Sequence, residues 1–343
     1  MASKDQHLGW LKKGDTALEW KQYKQAIAAY EKATKAKSNC VEAWTKLGRA
    51  CMDIEEFDRA IAAFDKVIKL EPDNFDGYFY KAAVQEEAGQ IDAAEATHRQ
   101  VVEILDDHPG CYFSLGTFLN RQKRYEEALE FLTQAVEMAP NPMNLTARSF
   151  SLESLERYEE ALSDLNRVDS YGAFYMVYHS RGQLLEKLKR YDEALEVYKE
   201  GMEQDPIPLL LLDQTYLLET LGRTEEAEAI YADEMENSKE GEFPELGYNI
   251  RAQTKQRLEL YDEAIAIYEE GLQEYPDNPG FLYDIAICYS QKGDADQALQ
   301  TLKKAIAGNE DMREWAKEEP LLLKGLKDND VFEQLVGLDR ESV

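Results

Sequence analysis

A repeat of about 34 residues runs along nearly the whole chain and constrains its fold more than any other feature. The stretch from Val41 to Asn74 shows the repeat most clearly. Apolar and small residues recur in it at helical spacing in two runs, followed by a proline; they are Trp44, Leu47, Gly48, Cys51, Phe57, Ala60, Phe64, Val67 and Pro72. The two runs predict a pair of helices joined by a short turn.

Nine alanines mark the same position in nine successive repeats, namely Ala26, Ala60, Ala94, Ala128, Ala161, Ala194, Ala227, Ala264 and Ala298. Each alanine is expected where the second helix presses on the first, because a larger side chain there would force the pair apart. The residue four positions later lies on the same helical face and is expected in the core. These residues are Tyr30, Phe64, His98, Leu132, Leu165, Tyr198, Tyr231, Tyr268 and Leu302.

The spacing W-x2-L-G-x2-Y, then A-x3-F, then P resembles the tetratricopeptide repeat. This resemblance implies an all-α, right-handed superhelical solenoid of helix-turn-helix repeats, whose first helices form a concave wall that holds peptides or helices of partner proteins. We expect residues 1–6 to be an N-terminal extension, 7–310 an array of about nine repeats, and 311–343 capping helices and a tail. The cap is predicted from an amphipathic pattern formed by Trp315, Leu322, Leu323, Leu326, Phe332 and Leu335.

Two repeats depart from the pattern. In the fifth, Leu145 replaces the aromatic residue, Arg148 and Ser149 replace Leu-Gly, and residues 169–172 replace the proline turn. In the seventh, Thr215 stands at the Gly position and an extra loop is predicted from Asn237 to Phe243. Because an array is only as stiff as its weakest neighbour contact, the junction of the seventh and eighth repeats is the predicted place for a bend or a looser interface.

The charge of the chain limits its partners. Its 343 residues include 68 acidic and 39 basic side chains, a formal net charge of −29, which repels phosphate backbones and anionic lipid headgroups. Nucleic acid and membrane surfaces are therefore not expected partners. The excess of acid has two interpretations, solubility of an elongated protein or an acidic face that recruits a basic partner. The four scattered cysteines are predicted to be reduced and mostly buried.

No targeting signal or catalytic motif stands out. The first residues lack an apolar signal segment, and no window approaches 18 consecutive apolar residues, so a cytoplasmic protein is predicted. The four histidines fall in different repeats or junctions, which argues against a shared metal site or a histidine-based triad. Pairs such as Glu126-Glu127 open second helices, where the helix dipole favours negative charge. We predict no enzyme activity and no cofactor.

The function is then expected to lie in the surface of the first helices. The resemblance places partner contacts three and two residues before the Gly position and one residue after it. The predicted contact residues at these offsets are Lys46, Arg49, Phe79, Tyr80, Phe113, Thr117, Thr146, Phe150, His179 and Gln183. The middle of this groove is apolar and aromatic, which is typical of a binding site for a hydrophobic or basic protein segment. The alternative is that packing between neighbouring first helices, or the chain's own loops, covers these side chains.

One familiar partner can be tested against the sequence. Relatives that hold the acidic C-termini of heat-shock chaperones use a two-carboxylate clamp of Lys, Asn, Asn, Lys and Arg. The matching residues are Leu11, Asp15, Lys46, Asp76 and Tyr80, none of which fits. An acidic chaperone tail is therefore not an expected partner. We predict a non-enzymatic scaffold or adaptor; the alternative is a regulatory peptide sensor that changes its superhelical pitch when ligand binds.

Overall fold

The computed structural model describes residues 6–169, 175–238, 244–326 and 329–337, and these form 21 helices without a strand. The chain divides into two compact units, residues 1–172 and 173–343, called here the N-terminal half and the C-terminal half. Helices of the N-terminal half are α1 (Gln6–Glu19), α2 (Tyr23–Ala36), α3 (Val41–Met52), α4 (Phe57–Leu70), α5 (Phe75–Glu87), α6 (Ile91–Ile104), α7 (Pro109–Arg121), α8 (Tyr125–Met138), α9 (Pro142–Ser154) and α10 (Tyr158–Asp169).

The C-terminal half contains α11 (Tyr175–Lys187), α12 (Tyr191–Gln204), α13 (Pro208–Thr220), α14 (Thr224–Ser238), α15 (Leu246–Arg257), α16 (Tyr261–Glu274), α17 (Pro279–Lys292), α18 (Ala295–Gly308), α19 (Met312–Glu318), α20 (Pro320–Leu326) and α21 (Asp330–Val336). Odd-numbered helices up to α17 are the first helices of repeats, and even-numbered helices up to α18 are the second. The predicted all-helical solenoid of paired helices is confirmed.

The turn inside each pair repeats with the array. A residue with positive φ ends the turn between the first and second helix in nine places within the described residues, at Lys21, Glu55, Gly89, Lys123, Glu156, Lys189, Gly222, Glu259 and Gly293. Only three of the nine are glycine, although the left-handed conformation favours it. The recurring left-handed turn gives an independent count of nine repeats.

The contact between paired helices follows the predicted pattern. All nine marker alanines are fully buried, and each of the nine residues four positions later is at most 2% exposed. At Gly48 a Cβ atom would lie 2.6 Å from the Phe64 ring, and at Gly182 it would lie 2.1 Å from the Tyr198 ring. The glycine therefore allows the aromatic ring of the second helix to lie directly on the backbone of the first.

Helix ends are fixed by short-range chemistry. Asn74, Asn141 and Asn278 accept backbone N–H groups at the starts of α5, α9 and α17, and proline opens several first helices. Four second helices begin after an arginine that pairs with a glutamate three residues later, as Arg124 does with Glu127. The second acid of each pair is thus bound by the arginine that precedes the helix, and the favourable interaction with the helix dipole stays a prediction.

The last repeat is covered by the C-terminal helices, as predicted. Leu322, Leu326 and Phe332 are at most 1% exposed and share one core with α17 and α18. Trp315 is predicted in the same apolar face, but it is 56% exposed and its ring meets that of Tyr283 at a right angle with centroids 6.4 Å apart. It lies on the outer side of the short helix α19, because Met312 and Ala316 face the core instead.

Two polar contacts join the first helices of the seventh and eighth repeats, and the predicted bend or looser interface there stays a prediction. Thr215 of α13 and Thr254 of α15 share a buried hydrogen bond of 2.9 Å, and Lys255 donates to Glu219 at 2.7 Å. Asn237 and Ser238, predicted as loop, belong to α14 because that helix continues to Ser238. Residues 239–243 of the predicted loop, and most of the predicted turn at residues 169–172, lie outside the described residues.

The division into two compact halves does not test the predicted division into an extension, one array and a tail. Gln6 of the predicted extension already belongs to α1, and residues 1–5 and 338–343 lie outside the described residues. The boundaries at residues 7, 310 and 311 stay a proposal.

Candidate partner-binding surface

Eight of the ten predicted contact residues lie on first helices of the N-terminal half. Lys46 and Arg49 are on α3, and the other six are Phe79 and Tyr80 on α5, Phe113 and Thr117 on α7, and Thr146 and Phe150 on α9. His179 and Gln183 lie on α11 of the C-terminal half. The two groups are therefore described separately.

An aromatic cluster occupies the first helix of the third repeat. Tyr80 stacks on Phe64 with ring centroids 5.5 Å apart, and Phe79 meets Tyr80 edge-on at 5.4 Å. Phe75 continues the cluster, since its ring lies 5.6 Å from Phe79 and 4.7 Å from His108. Such geometries stabilise aromatic pairs beyond simple burial. The cluster is thus a preformed aromatic surface and not a set of isolated side chains.

The open and covered parts of the surface can now be distinguished. Phe79 is 37% exposed and Phe150 is 51% exposed, and Phe150 touches only the edge of the Tyr125 ring among the described aromatic residues. Phe113 is half-buried and packs beside the core of the fourth repeat, and Tyr80 is half-buried on Phe64. Neighbouring helices therefore cover part of the predicted groove and leave two phenylalanines open.

The polar members of the predicted groove play different parts. Thr146 is exposed, whereas Thr117 is half-buried and its hydroxyl donates to the Ser114 carbonyl. Arg49 is exposed and lies over the Tyr80 ring at 5.3 Å. It forms no ion pair within the residues that the structure describes, so its N–H groups remain available to a partner.

Lys46 is tied to its own chain. Its ammonium group donates to Asp15 at 2.8 Å and lies 3.1 Å from Glu42. Partial burial lowers the pKa of Lys46, but the hydrogen bonds to Asp15 and Glu42 outweigh this and leave it above its ordinary value. Asp15 also accepts from Tyr30, so Lys46 belongs to a link between the first two repeats.

In the C-terminal half, His179 takes part in a buried network. Its Nδ1 lies 2.5 Å from the carboxylate of Asp213, which also accepts from Arg257 at 2.8 Å and is only 4% exposed. Asp213 lies two residues before Thr215, which is one of the predicted groove-facing positions. The sequence did not show that His179 and Arg257 both contact it. Gln183 is exposed on the same helix.

The cysteine thiols of the described residues show no sign of reactivity. Burial raises the pKa of the Cys51 thiol to about 11 and that of Cys111 to about 12, so both are protonated at neutral pH. All four cysteines are free and buried, as predicted. Among the described residues, no group of His, Cys, Asp and Glu side chains has the arrangement of a metal site, and no helix is both long and apolar enough to span a bilayer. The cytoplasmic location stays a prediction.

Sequence models described as tetratricopeptide repeat match residues 17–84 and 258–317, residues 109–142 and residues 175–207. Together they cover more than half of the chain. The chain belongs to the tetratricopeptide repeat family. This family typically provides non-catalytic scaffolds that mediate protein–protein interactions. No curated protein matches the sequence.

Several solved structures are similar to this tetratricopeptide repeat protein. One, from Parabacteroides merdae, is 12% identical with a TM-score of 0.49 over 72% of this chain and 98% of the other. MamA from Desulfovibrio magneticus, from residue 41 on, is 20% identical with a TM-score of 0.41 over 49% and 96% of the two chains. YrrB, a protein with an unusual peptide-binding site, is 19% identical with a TM-score of 0.38 over 51% and 91%.

Proposed function

We propose that this protein is a non-enzymatic scaffold whose first helices α3 to α9 bind a hydrophobic segment of a partner protein. The exposure of Phe79 at the edge of the aromatic cluster carries the proposal, and the exposed Phe150 on α9 adds a second apolar side chain on the first helices. Burying each ring against a partner contributes about 2 kcal/mol before the costs of association. The two contacts together contribute about 4 kcal/mol before those costs, so the half-buried aromatic residues and polar groups of the surface have to contribute as well.

Arg49 adds a polar contact beside the aromatic cluster. Its guanidinium lies over Tyr80 and forms no ion pair in the described part of the chain. A backbone carbonyl or a carboxylate of the bound segment is a suitable acceptor for it. The partner segment is therefore expected to be mainly apolar, with a hydrogen-bond acceptor near its aromatic contacts. His179 and Gln183 lie in the other compact half, and their role in binding stays a prediction.

Affinity capture with the double variant Phe79→Ser and Phe150→Ser tests this proposal. Both side chains are open, so the variant is expected to keep its helical circular dichroism signal and to lose most captured partner, about tenfold or more. Phe113→Ser is tested separately, because Phe113 also packs beside the core.

The matched control changes Trp20 and Ile104 to serine, since these side chains are 74% and 42% exposed and lie outside the first helices α3 to α9. Equal recovery of the partner by the wild type, the Phe79/Phe150 variant and the control would contradict the proposal. The peptide-sensor alternative stays a prediction, and small-angle scattering with and without peptide tests it.

A further inference from the structure

A second surface lies between the second helices of the fourth and fifth repeats. Helices α8 and α10 form the two sides of an open cleft of about 740 Å³, and α9 forms its floor. This volume is in the range that ligand-binding pockets of proteins have. The lining residues used below are Glu126, Leu129 and Glu130 on α8, Arg148, Leu152 and Leu155 on α9 and just after it, and Arg157, Glu160 and Asp164 around α10.

The floor of the cleft is apolar. Leu152 is 3% exposed, and Leu129 and Leu155 are half-buried, so their outer faces are turned toward the opening. An equivalent cleft of about 450 Å³ in the C-terminal half has Leu195 and Leu218 in the places of Leu129 and Leu152. The apolar floor thus follows from the repeat, and the difference between the two clefts lies in their charges.

The two carboxylates on the α10 side of the cleft are both paired with arginines, and a third arginine of the lining, Arg167, lies 3.6 Å from Asp164. Asp164 is 2% exposed and accepts two hydrogen bonds from Arg148, at 2.6 and 2.7 Å. Arg157 pairs in the same two-pronged way with Glu160 at 2.7 Å. Both arginines are therefore held by carboxylates on their own side of the cleft and are not directed at α8.

The α8 side carries uncompensated acid. Glu126 and Glu130 are exposed, lie one helical turn apart, and form no ion pair within the described ranges of the chain. Like charges at this spacing repel each other on a helix. In the equivalent cleft the corresponding acid Asp192 is paired with Arg223 at 2.7 Å. Glu196, which corresponds to Glu130, has no ion pair among the described residues, so the cleft of the fourth and fifth repeats differs by leaving both acids of this side unpaired.

Asp164 is an unusual residue for its position in the repeat. Other repeats place Ala63, Val197 or Ile230 at the same point of the second helix. A buried ion pair stabilises a fold little better than apolar packing does, so the fold does not require the pair of Arg148 and Asp164 in place of two apolar residues. Both close hydrogen bonds of the Arg148 guanidinium go to Asp164, and Arg148 forms no ion pair with Glu126 or Glu130.

From these observations we infer that the cleft binds an amphipathic helix of a partner protein, with an apolar stripe on Leu129, Leu152 and Leu155 and two basic residues one turn apart facing Glu126 and Glu130. Complementary charge selects the basic helix over a neutral or acidic one. Helix-in-groove recognition of this kind uses an apolar stripe at i, i+3, i+4 and i+7. This surface is separate from the aromatic surface of the first helices and does not depend on it.

Fluorescence anisotropy with a labelled synthetic helix tests the inference. The probe is an amphipathic peptide of about 18 residues built from leucine and lysine, and its counterpart has glutamate in place of lysine. We expect the lysine peptide to bind the wild type, and Glu126→Lys with Glu130→Lys to weaken binding about tenfold or more. The glutamate peptide is expected not to bind.

The matched control reverses the charge of Glu200 and Glu203 on α12 by changing both to lysine. These two residues are exposed and lie outside the cleft lining, and their substitution changes the net charge by the same amount. Equal weakening in both charge-reversal variants would show attraction to net charge alone and overturn the inference, as would unchanged binding in both. The Phe79/Phe150 variant is expected to bind the lysine peptide like the wild type; loss of binding there would assign the peptide to the aromatic surface. Self-association that only Glu126→Lys/Glu130→Lys abolishes would identify a second copy as the occupant and also overturn the partner assignment.

Discussion

At the scale of single residues, the ion pair of Arg148 and Asp164 allows a prediction about the free energy of unfolding. Asp164→Ala leaves the guanidinium largely buried, with its side chain 18% exposed and its close acceptor gone. We expect a loss of about 3 kcal/mol in the free energy of unfolding. The double variant Arg148→Leu with Asp164→Ala restores the Leu47 and Ala63 pattern of the second repeat and should be close to wild type. Urea unfolding followed by circular dichroism measures both, and a double variant no more stable than the single one would contradict this account.

Asp284 makes a prediction about pH. Burial raises its pKa from 3.8 to about 7; the Tyr268 hydroxyl opposes the rise and the charge of Glu319 adds to it. The folded state therefore favours the neutral carboxyl, so the stability it contributes is fully present below about pH 4 and is lost as the pH rises toward 7.

The loss is at most about 1.4 kcal/mol per pH unit within that window. Asp284→Asn should remove this part of the pH dependence and be more stable than wild type above pH 7. Unfolding free energies between pH 5 and pH 8 measure it, with exposed Asp296→Asn as the control. Parallel curves for wild type and Asp284→Asn would rule out this role for the carboxyl.

At the scale of helices, the close contact between the first and second helix of one repeat can be tested. Gly48→Ala would place a methyl group against the Phe64 ring and should cost about 2 kcal/mol. Adding Phe64→Leu creates the Ala286 and Leu302 combination that the ninth repeat already uses, so part of the loss should return. Thermal unfolding measures the series. Gly9→Ala is the control, because a Cβ there meets nothing within 4 Å and should stabilise α1 slightly.

The helices and their core could be predicted from the sequence because the signal is local. An alanine and a large residue four positions later report on one helix face, and that pattern returns in all nine repeats. The polar pairs between neighbouring first helices could not be predicted in this way. His179, Asp213 and Arg257 are far apart in sequence, and their convergence depends on the rotation of three helices relative to one another.

The candidate surface was only partly predictable for the same reason. The offsets that selected Phe79 and Phe150 also selected Lys46, whose ammonium group is bound by Asp15 of the preceding repeat. Exposure depends on which neighbour covers a side chain, and a repeat pattern does not contain that information. Arg148 was noted only as a departure from Leu-Gly, since its partner Asp164 lies on the following helix.

At the scale of the whole molecule, the C-terminal helices predict unequal stability along the chain. Leu322, Leu326 and Phe332 bury their side chains against the last repeat, so removing residues 311–343 should cost up to about 5 kcal/mol there. The N-terminal half should be unaffected, because stability in a repeat array is transmitted mainly between neighbours.

The tryptophans allow both halves to be followed in one experiment. Trp10, Trp20 and Trp44 report on the N-terminal half, and Trp315 is replaced by phenylalanine in the full-length reference. Deletion should lower the unfolding midpoint seen by circular dichroism and leave the fluorescence midpoint unchanged. A fluorescence transition that shifts equally would show that the two halves unfold as one cooperative unit.

The arginine–glutamate pairs that open the second helices recur at Arg124, Arg157, Arg190 and Arg223 with identical spacing and the same bonding to the glutamate three residues on. A crossover between misaligned copies of the gene at these points would excise or duplicate one whole repeat and leave the joint chemically intact. Loss of residues 191–223, for instance, would place Glu226 where Glu193 now meets Arg190. The number of repeats in the middle of the array can therefore change during evolution while the same arginine–glutamate pair is kept at the start of the second helix.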